Sequence, residues 1–329
     1  GIGGNRAILQ GGIVLAYYLM NRVVKLARIA LGMTQEELCE GICGVRVLSR
    51  SENGRQELKK ENFRKLMARM GRAAEPIYAV CVDKDGRLLE DRENMERAFK
   101  RYDYAAAEQY LRRMQENADD NLLTRQYLVR AEAVADYRQK RIGAEEFAKR
   151  VDQALRMTVP DYEKYVYGTD KVFPFVREEL LGLLSLGNAY ARSGQYEKAK
   201  EAYNAILRCL KAGYMLKPDR ITLEITVWDS LYHVCDKEGY LEDALQLIED
   251  CLQKSREIDN GHMIAPLLVS KAYNYIWMVK LGGWEESRLE DAKGFLRRAY
   301  YIAAARGDTR IMDIIIKYYV ENFGSWPQL

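Results

Sequence analysis

The sequence predicts an all-α protein: a small helix-turn-helix unit at the front and a longer array of helical hairpins behind it. Three observations carry this prediction. Only 6 Pro occur in 329 residues, so long stretches are free of helix breakers. Between Asn21 and Arg72, apolar residues recur at helical spacing in short segments separated by glycine turns. From Asp91 to Phe323, paired amphipathic segments repeat, with small and aromatic residues at matching offsets. An apolar fraction of 48% with 30% charged residues fits a core-forming chain, not a disordered one.

Residues 1–19 open GIGGNRAILQGG, without Met, and read as an upstream extension or an expression remnant. Their glycines do not make a phosphate loop, because no GK[ST] follows and the third glycine of GxGxxG is missing. The front unit spans 20–72. Val23, Val24, Leu26, Ala27 and Ala30 form an apolar stripe, with Arg22, Lys25 and Arg28 projecting elsewhere. Gly32 ends that helix. Thr34 begins the next as an N-cap, with Glu37 placed to reach back in a capping box. Gly41 permits a sharp turn, and a third helix runs from Val45 to Glu52, closed by Asn53-Gly54. Leu38, Leu58, Phe63, Leu66 and Met67 supply the faces that hold the unit together. Charge is uneven: 12 Lys+Arg stand against 6 Asp+Glu from Asn21 to Arg72, and 38 against 42 from Ala73 to the end. A basic head on a slightly acidic body suits a nucleic-acid module carried by a regulatory domain.

The string GMTQEELCEGICGVRVLSRSENGRQ resembles the lambda-repressor-like, or XRE-type, DNA-binding domains. More narrowly, GICGVRVLSRSENG resembles the front of the peptide-pheromone regulators, the Rgg, PlcR, NprR and PrgX group. Cys43, Leu48, Ser49, Arg50, Glu52, Asn53 and Gly54 match that pattern, whereas Gly44 replaces its serine N-cap and Ser51 takes a normally apolar position. A lost cap costs about 0.5–2 kcal/mol, and a buried hydroxyl adds to that. The resemblance implies that Val45, Arg46 and Arg50 reach base edges in the major groove of double-stranded operator DNA. Arg46 and Arg50 are four apart, so they share one helix face, and each can donate two hydrogen bonds to guanine. Gln35, at a helix N-terminus, is placed on a phosphate, and Arg55 and Lys59 are placed on the backbone; the plain alternative is that the basic residues are simply solvated.

Behind residues 73–90, read as a connector because of Pro76 and Asp83-Lys84-Asp85-Gly86, lies the repeat body, 91–329. Its clearest unit, Leu186 to Ala199, follows the tetratricopeptide pattern: Gly187 and Ala199 let two helices approach while Tyr190, Tyr196 and Tyr203 fill between them. Trp228, Leu231, Gly239, Ala244 and Ile248 form a second copy; Tyr104, Ala107 and Leu111 mark an earlier unit, and Val151 with Ala154 another. Ala272, Tyr275, Ala292, Leu296 and Ala299 mark a later unit, with an insertion around Gly282-Gly283-Trp284. Asp308 to Phe323 seals the stack through Ile311, Ile315 and Tyr319. The fold class is therefore a lambda-repressor-like helix-turn-helix domain followed by a tetratricopeptide-repeat superhelix. Thr158 to Phe175, with Pro160, Gly168 and Pro174, resembles the loop these regulators place between their second and third hairpins.

Such superhelices line their inner face with the first helix of each hairpin. Registering the repeats turns Leu184, Asn188 and Arg192 inward from one hairpin and Asp229, His233, Asp236 and Lys237 from the next. Asn274 joins them from a repeat whose register is ambiguous by a residue or more. An asparagine after Leu-Gly is common in this repeat whatever it binds, so Asn188 carries a packing reading beside the binding one. That the ligand is a short peptide is what the resemblance implies, as is a homodimer presenting two heads to the operator.

The six cysteines include no CxxC pair, and His233 and His262 are the only histidines, which leaves no metal-site spacing and no cofactor signature. Buried reduced thiols suit a cytoplasmic protein. No cluster of acids, nucleophiles or ligands supports an enzyme. No apolar run reaches the roughly 18–20 residues that a membrane span requires. Two other classes stay open: a protein-interaction scaffold with a degenerate head, and a repeat regulator related to the Rap proteins that acts on a partner protein without DNA.

Overall fold

A computed structural model of the chain describes residues 19–72, 87–100, 103–118, 122–215, 219–257 and 261–326. The chain divides into two compact units, Gly1–Leu216 and Lys217–Leu329. The described residues are almost wholly helical, as the sequence predicts.

Unit 1 opens with α1 (Met20–Ala30), α2 (Gln35–Cys39), α3 (Val45–Glu52) and α4 (Lys60–Arg69). Their apolar faces close on one core in which Val24, Ala27, Leu38, Leu48 and Leu66 are fully buried. The local signals act as predicted. The Glu37 amide donates to Thr34 Oγ1 at 3.1 Å and the Thr34 amide to Glu37 Oε2 at 2.7 Å. Gly41, at φ +67°, occupies the left-handed region between α2 and α3 at no steric penalty. Arg69 of α4 donates to the Leu38 carbonyl at 3.1 Å, satisfying a carbonyl at the end of α2.

The hairpins of unit 1 are α5 (Arg87–Lys100) with α6 (Tyr104–Asn117), α7 (Leu122–Arg138) with α8 (Ala144–Thr158), and α9 (Arg177–Arg192) with α10 (Tyr196–Lys211). Helix α5 starts at Arg87, near the end of the predicted connector, and Leu88, 3% exposed, anchors its first turn. Residues 73–86, with Pro76, Cys81 and the Asp83 to Gly86 turn, lie outside the described residues, as do residues 1–18. Close approach of α9 to its neighbours depends on two glycines. A Cβ at Gly187 would stand 2.6 Å from Tyr203 Cε1, and one at Gly182 would stand 2.7 Å from Leu155 Cδ2. Between α8 and α9 the predicted loop contains one 3-10 turn, Tyr162–Tyr165, and packs inward: Tyr165 stacks on Phe173 at 4.3 Å, and Phe173 meets Phe175 edge-on at 4.9 Å.

Unit 2 consists of α11 (Asp219–Glu238), α12 (Leu241–Glu257), α13 (Gly261–Lys280), α14 (Arg288–Ala305) and α15 (Thr309–Phe323). Ala244, Ile248, Cys251, Ala272, Ala292, Leu296 and Ala299 form a continuous core, and the final helix seals it with Ile315 and Tyr319. Trp284, in the predicted insertion, meets Tyr275 edge-on at 4.7 Å. Among the described cysteines all are free, and Cys39, Cys209 and Cys251 are buried.

Candidate nucleic-acid interface and repeat-body site

Helix α3 has the predicted ends, Val45 and Glu52, with Gly44 at the N-cap and no side-chain cap. Leu48 is its fully buried anchor, and this sets which face is presented outward. Arg46 and Arg50 lie on that face, both exposed, and neither has an ion-pair or hydrogen-bond partner among the described residues. Val45 is half-buried beside them. Arg55 and Lys59 are exposed, Lys59 as the N-cap residue of α4.

What holds α3 in place is a buried carboxylate. Glu52 Oε1 accepts from Arg28 Nε at 2.7 Å; its Oε2 accepts from Arg28 Nη2 at 2.8 Å and from Gln35 Nε2 at 2.7 Å. Burial pushes the Glu52 carboxyl up, but the Arg28 and Gln35 hydrogen bonds outweigh it and hold it below the usual range. Helices α1, α2 and α3 are thus tied at one point. Neither of these links is predicted by the sequence. Arg28 projects off the apolar stripe onto Glu52: its side chain is 13% exposed, and it also donates to the Met33 carbonyl at 2.8 Å. The Gln35 amide turns inward to Glu52. A glutamate in the last turn of a helix opposes the helix dipole, and that is the signal in the sequence that Glu52 needs a cation.

The Ser51 departure has the expected consequence. Its side chain is fully buried and its hydroxyl has no hydrogen-bond partner among the described residues. Ser51→Ala removes this orphan and favours the helix, so it should stabilise the protein by about 1 kcal/mol, read as a higher urea midpoint at unchanged slope. An unchanged or lower midpoint would count against the orphaned hydroxyl.

The head is anchored within unit 1 at two places. Arg22 donates to the Gly213 carbonyl at 3.1 Å, and the Leu19 amide donates to the Tyr214 carbonyl at 2.8 Å. At the end of α4, Arg72 forms a bidentate pair with Glu179 of α9 at 3.0 and 2.9 Å. Its guanidinium also lies 4.8 Å from the Phe173 ring. The neighbouring Glu178 is surrounded by Arg92, Arg177 and Arg130. Burial pushes its carboxyl up, and the three guanidiniums hold it at about 2.

The repeat-body residues divide. Leu184, 7% exposed, belongs to the core, because α9 is packed on several sides. Asn188 Oδ1 accepts from the Tyr203 hydroxyl at 2.7 Å, so its amide serves helix packing. Arg192 is exposed, with its guanidinium 5.4 Å from the Tyr137 ring of α7. In unit 2, His233 and Lys237 are exposed and Asp236 is half-buried. Asp229 stands 3.9 Å from His233; burial pushes its carboxyl up, against the pull of His233. Asn274 is fully buried. Among the described residues, no group of three or more His, Cys, Asp or Glu could hold a metal ion, and no helix is long and apolar enough to cross a membrane.

Fold and site define a helix-turn-helix head joined to a body of helical hairpins. A helix-turn-helix family model matches residues 24–75. No curated protein sequence matches the chain. The fold resembles that of Bacillus thuringiensis PlcR in complex with the peptide PapR7 and DNA, at 19% identity and a TM-score of 0.59, covering 91% of this chain and 99% of PlcR. It also resembles S. thermophilus ComR in complex with DNA and its signalling peptide ComS, at 14% identity and a TM-score of 0.53, covering 92% and 99%. Apo PlcR from B. thuringiensis matches at 13% identity and a TM-score of 0.55, covering 89% and 98%. The all-α architecture that these regulators share is the architecture of this chain.

Proposed function

We propose that the chain is a cytoplasmic, DNA-binding transcriptional regulator, a homodimer whose repeat body senses a short peptide. Residues 20–72 are the DNA-binding head, and 91–329 carry ligand binding and dimerisation. The observation that carries the reading is the outward face of α3, where Arg46 and Arg50 stand exposed and, among the described residues, unpaired on a helix clamped from behind by Glu52. Solvated arginines could be placed anywhere; a rigid helix with two aimed at one groove suits base readout. Arg55, Lys59 and the α2 N-terminus at Gln35 supply phosphate contacts, which position the head without reading sequence. The fold likeness to PlcR, solved with the peptide PapR7 and DNA, and to ComR, solved with DNA and its signalling peptide ComS, supports both halves of the reading.

The scaffold alternative draws on Ser51 and Gly44, which weaken α3. Salt separates the two. Full-length protein should retain duplexes from a random pool, and with several phosphates neutralised its affinity should fall by about a thousandfold between 50 and 200 mM salt. Absence of duplex binding at low salt, or binding indifferent to salt, would favour the scaffold.

A further inference from the structure

Within unit 2, three helices bring a carboxylate and aromatic side chains together. Asp236 lies near the end of α11, half-buried, and its carboxylate forms no ion pair or hydrogen bond among the described residues. Its charge acts on three tyrosines from three helices, Tyr232 of α11, Tyr273 of α13 and Tyr318 of α15. Tyr273 and Tyr318 have ring centroids 6.0 Å apart, and Trp277 stands 6.0 Å from Tyr273 on the other side. Beside the buried Tyr232 hydroxyl lie Ser270 and Asn274. Asn274 is fully buried, and its amide meets that same Tyr232 hydroxyl.

The chemistry selects a cation. A carboxylate among aromatic side chains attracts a positive group through charge and through the aromatic quadrupoles together. The chain shows the aromatic half of this with its own residues, since Lys280 Nζ lies 5.6 Å from the Trp277 ring while bonded to Asn322. Among the described residues no cation forms an ion pair with Asp236: Lys237 follows it on α11 but is exposed, and His233 is exposed a turn earlier.

We propose that this cluster is a cation subsite, in which Asp236, between Tyr232, Tyr273 and Tyr318, takes the ammonium or guanidinium of the sensed peptide. The inference rests on the peptide-sensing reading and gives that ligand a charge. Burial raises the Asp236 carboxyl above the usual range, and Lys237 and His233 oppose the rise.

The test presents the full chain with a synthetic heptapeptide library in two forms, with free and with acetylated N-termini, and identifies the retained peptides by mass spectrometry. Retained peptides should be enriched in Lys or Arg at a fixed position, or in free amines, by about tenfold or more over those retained by Asp236→Asn. Asp236→Glu should keep the preference, and Asp243→Asn, at an exposed site on α12, should leave it unchanged. The acetylated arm separates a side-chain cation from the terminal amine. Melting curves confirm that each variant folds. Peptides retained without cation enrichment, or with equal enrichment by Asp236→Asn, overturn the subsite and leave peptide sensing standing. Retention of no peptide by any form overturns both.

Discussion

Replacing Arg46 and Arg50 together with alanine is expected to abolish sequence-specific duplex binding and leave the fold intact. Both side chains are exposed and unpaired among the described residues, so the change in unfolding free energy should stay within about 0.5 kcal/mol. Each arginine, paired bidentately to a guanine, discriminates by about 1–3 kcal/mol. The double loss therefore amounts to roughly 2–6 kcal/mol, on the order of 30-fold to 10⁴-fold in affinity. Fluorescence anisotropy on a duplex selected by the wild-type chain measures this directly. Single variants should each relax the preference at one base pair. Arg55→Ala and Lys59→Ala should behave differently, weakening all duplexes alike and lowering the salt slope by about one each. A double arginine variant that binds the selected duplex as wild type does would end the base-reading assignment.

The head was legible because its instructions are local. A capping box, a left-handed glycine and a leucine anchor each act within a few residues, so Thr34, Gly41 and Leu48 set the elements before any long-range packing. The links that make α3 rigid were not legible in the same way. Arg28, Gln35 and Glu52 meet across 17 to 24 positions, and periodicity records which side of a helix is polar, not which partner it finds. The repeat body illustrates the same limit. Helix α9 has neighbours on several sides, so its apolar and small residues surround it, and a register that places Leu184 and Asn188 on an open face cannot distinguish that face from a second packed one. On α11, by contrast, His233 and Lys237, four apart on one helix face, are exposed, whereas Asp229 and Asp236 are half-buried.

Neutralising Glu179 as Glu179→Gln should destabilise unit 1 by about 3–5 kcal/mol, because it strands the Arg72 guanidinium in a buried position. The side chains are 8% and 1% exposed, so neither charge can be rescued by water. Arg72→Met alone should cost a similar amount by stranding the carboxylate. The double variant Arg72→Met/Glu179→Gln should recover most of the loss, since no unpaired charge remains. The amide oxygen introduced at position 179 can still accept from the Val176 amide, which donates to Glu179 Oε2 at 2.8 Å in the wild-type chain. Urea unfolding of the four proteins gives the coupling energy, and an additive cycle would mean that the pair is not an energetic unit. Acid should weaken the same region through Glu178. Its folded pKa of about 2 lies below its ordinary 4.5, so the stability it supplies is full above the latter and is lost as pH falls toward the former. The consequence for signalling follows from helix length. Glu179 and Arg192 are on one continuous α9, separated by roughly 20 Å at 1.5 Å per residue, so under the proposed function a peptide engaging Arg192 would act on the helix on which the head rests. In the double variant the head should still bind duplex and the body should still bind peptide, while the peptide-dependent change in duplex affinity shrinks toward onefold. A full response in that variant would show that the coupling runs elsewhere.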